Sequence, residues 1–267
     1  MRPRSVRVAF VGWGAIARTA AELLANSPVE IVAVAVRDGS IDRPDLPAGA
    51  QLITEPGELA ATAPELVAEA AGRDSVAVWG HVALEAHADY VVSSVSAFAD
   101  ASVLKELREA AASNNRRVVI QPGAVAGVEA LAAARLMGID VVEHRIVKPP
   151  HAWLGTPAET LCALEDLTEP EAFFSAPAVE AAAAFPKNAN VAMTTALAGI
   201  GPDATKITLV ADPTASTNRH ELHAHGAFGQ LDVAIANSPL PANPKSSAMA
   251  ALSLVRTIEN RVNPIVI

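Results

Sequence analysis

The chain has 267 residues, a formal net charge of −9 and a hydrophobic fraction of 51%, enough apolar material for one large or two modest domains. The acidic balance and the aromatic fraction of 4% argue against nucleic-acid binding, and no apolar run is long enough for a membrane span or an N-terminal signal peptide. The single cysteine, Cys162, excludes an internal disulfide and is expected to be a small buried side chain. We therefore expect a soluble cytoplasmic protein.

A buried strand, a glycine turn and a helix open the chain. Residues 6–11 are mostly apolar, as in a strand covered on both faces of a parallel sheet, and residues 15–25 have helical apolar spacing. Gly12 permits a sharp turn, and Gly14 lets the backbone approach a pyrophosphate that faces the first amides of the helix. Ala17 replaces the third glycine of this fingerprint. The pattern predicts a dinucleotide site, with a ligand-free tight turn as the alternative.

Two charged residues follow the second predicted strand, residues 30–36. Asp38 lies about 20 residues after the glycine turn, where an acid commonly binds the ribose hydroxyls of NAD. Arg37 is suited to the 2′-phosphate of NADP, so both cofactors stay open. For each residue, an exposed loop charge without a ligand is an equal alternative.

Strands alternate with helices through the first half of the chain, which predicts a parallel, doubly wound sheet of the Rossmann type. Ligands of such sheets bind beyond the carboxyl ends of the strands. The further predicted strands are residues 51–53, 65–70, 89–95 and 117–120, and the predicted helices are residues 56–61, 75–86 and 99–113.

The pattern changes after Ala124 and predicts an α+β domain with a largely antiparallel sheet. The fold class is therefore α/β, with residues 1–123 as the dinucleotide-binding domain and residues 124–242 as the second domain. A C-terminal helix, capped by Asn243 and opened by Pro244, is expected to return residues 243–267 to the first domain. The predicted elements between are helices at 125–137 and 191–198, two short helical pieces within 164–184, and strands at 141–147, 206–211, 219–225 and 231–237, the last two forming a hairpin.

Two residues of the second domain are candidates for chemistry. His220 sits where a polar loop enters a strand, a common place for an acid–base group, although a structural histidine is the more frequent case. Lys187, just before a predicted helix, is suited to a carboxylate, with a surface lysine as an equal alternative. His144 and His151 carry no functional prediction.

Glu221, His223 and His225 are spaced like a metal set of two histidines and a carboxylate. No further ligand cluster accompanies them, so a solvated strand face is favoured. We predict no metal site.

Several ordered segments resemble the L-aspartate dehydrogenases over most of the chain. They are VGWGAIA at 11–17, QPGAVAGVEAL at 121–131, FPKNANVAMTTALAGIG at 185–201, ADPTASTNRHEL at 211–222 and NPKSSAMAALS at 243–253. The resemblance implies a Rossmann domain followed by an α+β domain that shapes the substrate site and mediates contacts in a homodimer. It implies reversible NAD- or NADP-dependent oxidation of L-aspartate to iminoaspartate, which hydrolyses to oxaloacetate and ammonia, and a role in supplying iminoaspartate for NAD synthesis.

The resemblance also implies roles for individual residues. His220 takes the place of the catalytic histidine, which we expect to hold the substrate and to activate the water that attacks the imine. The implied cofactor contacts are the diphosphate turn at Gly12, Gly14, Ala15 and Ile16 and the nicotinamide-side residues Ala124 and Asn190. The groups expected to hold the two substrate carboxylates are Lys187, Asn190, Thr217 and Asn218.

Two positions depart from the family pattern. Arg37-Asp38 replaces an acidic-then-basic pair, which affects cofactor preference, and Ser96 replaces a glycine of a site wall, which affects the substrate. The alternatives are a homoserine-dehydrogenase-like or dihydrodipicolinate-reductase-like oxidoreductase, a non-catalytic NAD(P)H sensor, and a Rossmann-like protein without a ligand.

Overall fold

The computed structural model describes residues 5–266, and these residues divide into two units. Residues 5–123 and 250–266 form the first unit, and residues 124–249 form the second. Residues 1–4, on which part of the signal-peptide expectation rests, and residue 267 lie outside the described residues. Within residues 5–266, no helix is long and apolar enough to cross a membrane.

The strands are numbered in chain order: β1 (Val6–Val11), β2 (Val29–Ala35), β3 (Gln51–Ile53), β4 (Leu66–Glu69), β5 (Asp89–Val92), β6 (Val118–Ile120), β7 (Ile139–Lys148), β8 (Glu171–Pro177), β9 (Lys206–Ala211), β10 (Asn218–Gly226), β11 (Gly229–Asn237), β12 (Pro239–Leu240) and β13 (Asn243–Ser247). The α-helices are α1 (Ala15–Leu24), α2 (Val76–Glu85), α3 (Ala101–Ser113), α4 (Val128–Ala134), α5 (Ala158–Leu161), α6 (Ala178–Ala184), α7 (Ala189–Ala198) and α8 (Ala248–Glu259). Short 3₁₀ turns cover Pro56–Thr62, Arg73–Ser75, Val95–Ala99, Pro150–Trp153 and Pro186–Asn188.

The first unit contains a six-stranded parallel sheet in the order β3-β2-β1-β4-β5-β6. This order confirms the predicted doubly wound sheet, whose direction of winding reverses between β1 and β4. The central strands are apolar on both faces because both faces are covered: Val8, Phe10 and Val91 are all fully buried. The carboxyl ends of β1 and β4 therefore meet at one edge, where a ligand of this fold binds.

The C-terminal helix begins later than predicted. Asn243 and Pro244 belong to β13, which pairs antiparallel with β12, and α8 starts at Ala248. The side chain of Asn243 bonds to the amide of Lys245, and the hydroxyl of Ser247 accepts from the amide of Met249. The predicted helix start at Asn243 and Pro244 was therefore too early, because pairing with β12 keeps these residues extended.

The core of the first unit includes one side of α8. Leu254, Val255 and Ile258 join the apolar cluster that contains Val8 and Phe10. Leu252 of the same helix is 45% exposed and lies outside this cluster. The first unit is therefore built from two separate segments of the chain.

The second unit contains a five-stranded sheet in the order β11-β10-β7-β9-β8, antiparallel except for the β7–β9 pair. The predicted hairpin of β10 and β11 is confirmed. His220, Leu222 and Ala224 alternate along the buried face of β10, where Leu222 packs in a cluster with Leu131 of α4. Glu221 and the other odd-numbered residues of β10 lie on the opposite, more exposed face.

Strand β8 replaces the first of the two helical pieces predicted in this region. Its aromatic side chains favour a strand: Phe173 contacts Trp153 with ring centroids 4.9 Å apart, and Phe174 contacts Phe185 at 5.0 Å. The second piece is confirmed as α6, which follows Pro177. The helix predicted at 125–137 is shorter, because only 128–134 is helical.

Glu69, the last residue of β4, holds two strand ends together and is fully buried. One carboxylate oxygen accepts hydrogen bonds from the amides of Ala71 and Gly72 at 2.8 and 2.9 Å. The other accepts from the amides of Ser93 and Ser94 at 3.2 and 2.9 Å. A single carboxylate thus satisfies backbone donors after both β4 and β5, in a place where unsatisfied donors are costly.

We expect Glu69→Gln to lower the free energy of unfolding by about 2–4 kcal/mol, because the new amide group turns a donor toward backbone donors. Urea denaturation measures this loss. The matched control Glu22→Gln, on an exposed position of α1, is expected to stay within about 0.5 kcal/mol of the parent. Equal stability of Glu69→Gln and the parent would show that the carboxylate is dispensable.

Candidate active site

The glycine turn after β1 has the geometry expected for close approach of a phosphate. Gly12 has a φ of +92°, and a Cβ added there would lie 2.7 Å from the Cα of Ala71 and 2.8 Å from the carbonyl oxygen of Ala70, so only glycine fits. A Cβ added at Gly14 would meet no atom within 4 Å, and no side chain caps α1. The first amides of α1, at Ala15 and Ile16, therefore begin at an open, uncapped helix end.

A cleft of about 780 Å³ lies beside this turn in the first unit. Its lining brings together four residues predicted for the cofactor, namely Gly12, Gly14, Arg37 and Asp38. Ala15 and Ile16 follow directly in the first turn of α1. These six residues lie after β1, in the first turn of α1 and after β2, at the carboxyl edge of the sheet.

The two charged residues of the cleft differ in their surroundings. One oxygen of Asp38 accepts from the hydroxyl of Ser40 at 2.7 Å and from its amide at 2.8 Å, and these bonds lower the pKa of the Asp38 carboxyl. Within the described part of the chain, Arg37 makes no ion pair or hydrogen bond and its side chain is exposed. The guanidinium is therefore available to an anion in the cleft.

His220 contacts the buried side chain of His144, which in turn contacts the buried side chain of Thr195. It stands opposite Ile146 of β7, and its Nδ1 lies 3.1 Å from Nε2 of His144. Nδ1 of His144 lies 2.9 Å from the hydroxyl oxygen of Thr195 on α7. Across residues 5–266, Nε2 of His220 makes no hydrogen bond, so this nitrogen is the one left for chemistry.

Both imidazoles are neutral near pH 7. Burial and then the positive charge of Lys148 lower the pKa of His220 from 6.5 to about 4. Burial and the neighbouring His220 hold the pKa of His144 well below its ordinary value. The sequence offered no interpretation of His144, because its contact with His220 depends on the register of two strands distant in sequence.

Lys148 lies close to His220 but was not among the predicted site residues, because the strand predicted here ended at residue 147. It is the last residue of β7, on the same face as His144 and Ile146. Its ammonium donates to the side-chain oxygen of Asn188 and lies 4.8 Å from the ring centre of Trp153. Burial, followed by repulsion from Lys187, lowers its pKa from 10.5 to about 8. The β-strand period of two was the signal that placed it beside His220.

The other predicted residues of this unit lie on its loops and helix ends. Thr217 and Asn218 are half-buried at the start of β10, and Lys187 is exposed in the 3₁₀ turn before α7. Asn190 lies in the first turn of α7. Ala124 is buried, and its carbonyl oxygen accepts from the side-chain amide of Asn237 at 3.0 Å.

The loop before β10 is ordered by Asp212, which is buried and accepts from the amide and hydroxyl of Thr214 at 2.8 and 2.7 Å. Those bonds, led by the Thr214 hydroxyl, lower the pKa of the Asp212 carboxyl despite its desolvation. Arg219 bridges Asp212 and Glu221. The entry into the His220 strand is thereby fixed by local polar contacts.

His223 and His225 lie on the opposite face of β10 from His220. His223 pairs with Asp232 at 2.6 Å, and Glu221 pairs with Arg145 and Arg219. The described residues contain no group of three or more histidine, cysteine or acidic side chains arranged to hold a metal ion. Cys162 is buried and free, and burial raises its pKa, as expected for a small packed side chain.

Two family models match the chain. A model described as aspartate dehydrogenase, C-terminal, matches residues 129–261, and a model described as homoserine dehydrogenase, NAD binding domain, matches residues 12–121. The first includes His220 and Lys148, and the second includes the glycine turn. The first unit therefore matches an NAD-binding domain, and the second matches the C-terminal domain of an aspartate dehydrogenase.

Relatives match over nearly the whole chain. The L-aspartate dehydrogenase of Brucella anthropi is 53% identical over 265 residues, 98% of this chain and 99% of that protein. The L-aspartate dehydrogenase of Polaromonas sp. is 41% identical and covers 98% of this chain and 100% of its own length. The crystal structure of aspartate dehydrogenase from Thermotoga maritima superposes with a TM-score of 0.79 at 25% identity, covering 99% of this chain and all of that one. This chain belongs to the L-aspartate dehydrogenase family.

Proposed function

We propose that this protein catalyses the reversible, NAD(P)-dependent oxidation of L-aspartate to iminoaspartate, which water converts to oxaloacetate and ammonia. The observation that carries this proposal is His220, a neutral imidazole held by His144 with Nε2 left open, at the position to which the family resemblance assigns the catalytic histidine. Homoserine-dehydrogenase-like and dihydrodipicolinate-reductase-like activities and a sensor role are less supported, because the whole-length relatives are L-aspartate dehydrogenases.

The first unit fits a dinucleotide. The cradle at Gly12 excludes any side chain, and the open end of α1 at Gly14, Ala15 and Ile16 presents amides to a pyrophosphate. When bound, the nicotinamide ring supplies the hydride acceptor for oxidation and the donor for reduction. Following the family pattern, we assign its remaining contacts to Ala124 and Asn190.

Arg37 and Asp38 support binding of NADP as well as NAD. Ser40 occupies one carboxylate oxygen of Asp38, so the second oxygen stays available to a ribose hydroxyl. Arg37 lines the same cleft and has no internal partner among residues 5–266, so it suits a 2′-phosphate.

His220 carries the proton step. As a water oxygen bonds to the carbon of protonated iminoaspartate, the C=N π electrons move to the nitrogen and one water proton passes to Nε2 of His220. The resulting carbinolamine loses ammonia to give oxaloacetate; in the reductive direction the proton on His220 returns to the departing hydroxyl group. His144 and Thr195 keep the ring oriented for this transfer. Lys187, Thr217 and Asn218, all near the entry to β10 or α7, are assigned to the polar ends of the substrate.

We also propose that the protein works as a homodimer in the cytoplasm. The family resemblance places dimer contacts in the second unit, and a buried free thiol at Cys162 fits a reducing compartment. Light scattering after gel filtration measures the mass in solution, and a monomer mass would overturn the dimer.

The function is tested by mixing the protein with oxaloacetate, ammonium and NADH or NADPH and following nicotinamide absorbance. We expect loss of absorbance that requires both oxaloacetate and ammonium. No loss, in protein shown to bind NADH, would point to another substrate or to a sensor.

In that assay we expect His220→Ala to lower kcat by about 10²–10⁴-fold, the usual range for losing an acid–base group. His223→Ala is the matched control, since it removes an imidazole from the other face of the same strand. Near-normal turnover of His220→Ala would remove the proton role from this residue.

Arg37→Met tests the cofactor assignment. We expect KM for NADPH to rise about 10–100-fold, the effect of losing one charge-assisted hydrogen bond, with little change in KM for NADH. Arg108→Met, on an exposed position of α3, serves as the control for charge alone. A parallel change for both cofactors would mean that Arg37 does not discriminate the 2′-phosphate.

A further inference from the structure

Lys148 is a largely desolvated, half-buried cation with no acidic partner at ion-pairing distance in the described chain. Its contacts are one neutral amide oxygen, from Asn188, and the face of Trp153. Throughout the described chain, no carboxylate lies within ion-pairing distance of its ammonium. Removing a charge from water is costly unless an opposite charge is supplied, so such a group is a candidate for an anionic ligand.

The charged and titratable groups around Lys148 reinforce this imbalance. His220, on the neighbouring strand β10, feels the positive charge of Lys148, and both His220 and His144 are neutral near pH 7. Lys187, from the turn before α7, adds a second positive charge at an exposed position. Asp212, whose amide donates to the carbonyl oxygen of Lys148, is already paired with Arg219. The two cations are therefore not neutralised by an acid within ion-pairing distance of Lys148, and their field attracts a carboxylate.

We propose that Lys148 binds one carboxylate of the dicarboxylate substrate beside His220, with Asn188 orienting the ammonium and Lys187 attracting the anion at the exposed side. The subsite rests on the proposed function, because that function supplies a substrate with two carboxylates. The ring face of Trp153 packs against the Lys148 ammonium. The indole N–H of Trp153 donates to the carbonyl oxygen of Val210 at 3.0 Å, which holds the ring in place. The anion therefore replaces no internal partner of the lysine.

The first test measures binding without turnover. Succinate is titrated calorimetrically into the full-length protein carrying no cofactor, where we expect Lys148→Met to weaken binding by about 10–100-fold. Lys148→Arg, which keeps the charge, is expected to stay within a few-fold of the parent. Lys245→Met, on the exposed strand β13, is the matched control for loss of one lysine and should bind as the parent does.

The second readout separates a binding lysine from a structural one. Replacing an uncompensated, half-buried cation with methionine relieves a desolvation cost, so we expect the melting temperature of Lys148→Met to equal or exceed that of the parent. A structural lysine gives the opposite result, a lower melting temperature. Parent-like succinate affinity in a folded Lys148→Met protein would overturn the proposal.

The pH dependence gives a third readout. Because burial and Lys187 set the pKa of Lys148 at about 8 in the free protein, the ammonium is charged below pH 8 and loses its charge above it. Succinate affinity should fall by up to about tenfold per pH unit above pH 8 in the parent and stay level in Lys148→Arg, whose guanidinium keeps its proton. A level profile in the parent would count against Lys148 as the binding cation.

The two proposals fail in different ways. If succinate binding depends on Lys148 but aspartate and oxaloacetate give no turnover, the carboxylate subsite stands and the proposed function falls. If turnover is observed and Lys148→Met leaves KM for oxaloacetate and succinate affinity unchanged, the proposed function stands and the subsite falls.

Discussion

The hydrogen-bond register that pairs Ile146 of β7 with His220 of β10 decides which side chains meet in the second unit. With this register, residues 144 and 148 flank the histidine on one face, so an imidazole supports it on one side and an ammonium lies on the other. A slip of one residue would turn every side chain of β10 to the opposite face. The long pairing of β10 with both β7 and β11 fixes the register against such a slip.

In the first unit, the shape of the proposed cofactor site is determined by the backbone rather than by side chains. The turn at Gly12 passes so close to Ala70 and Ala71 that the end of β4 acts as its floor. Glu69 holds that floor by accepting hydrogen bonds from the chain after β4 and after β5. The shape of the dinucleotide cleft is therefore tied to a buried carboxylate that lies outside the predicted set of cofactor residues.

Local signals predicted the parts of this protein that local structure determines. Glycine placement predicts the turn at Gly12, and strand periodicity predicts the hairpin of β10 and β11 that contains His220. The structure contains both. The helix cap predicted at Asn243 was wrong, because the Asn243 side chain makes the same kind of hydrogen bond to a nearby amide within a strand. Pairing with β12 keeps this segment extended. Lys148 could not be singled out for a different reason: periodicity gives the face of a residue, whereas the desolvation of Lys148 and its lack of an acidic partner depend on the distant turn 186–188 and on Trp153.

The order of the chain has a consequence for biosynthesis. The first unit is formed by residues 5–123 and 250–266, so α8 leaves the ribosome only after the whole second unit. Until then the nascent sheet lacks Leu254 and Ile258, and the apolar cluster around Phe10 remains partly uncovered. During synthesis the second unit is therefore complete before the first, and the exposed apolar cluster of the first unit is prone to aggregation until α8 covers it.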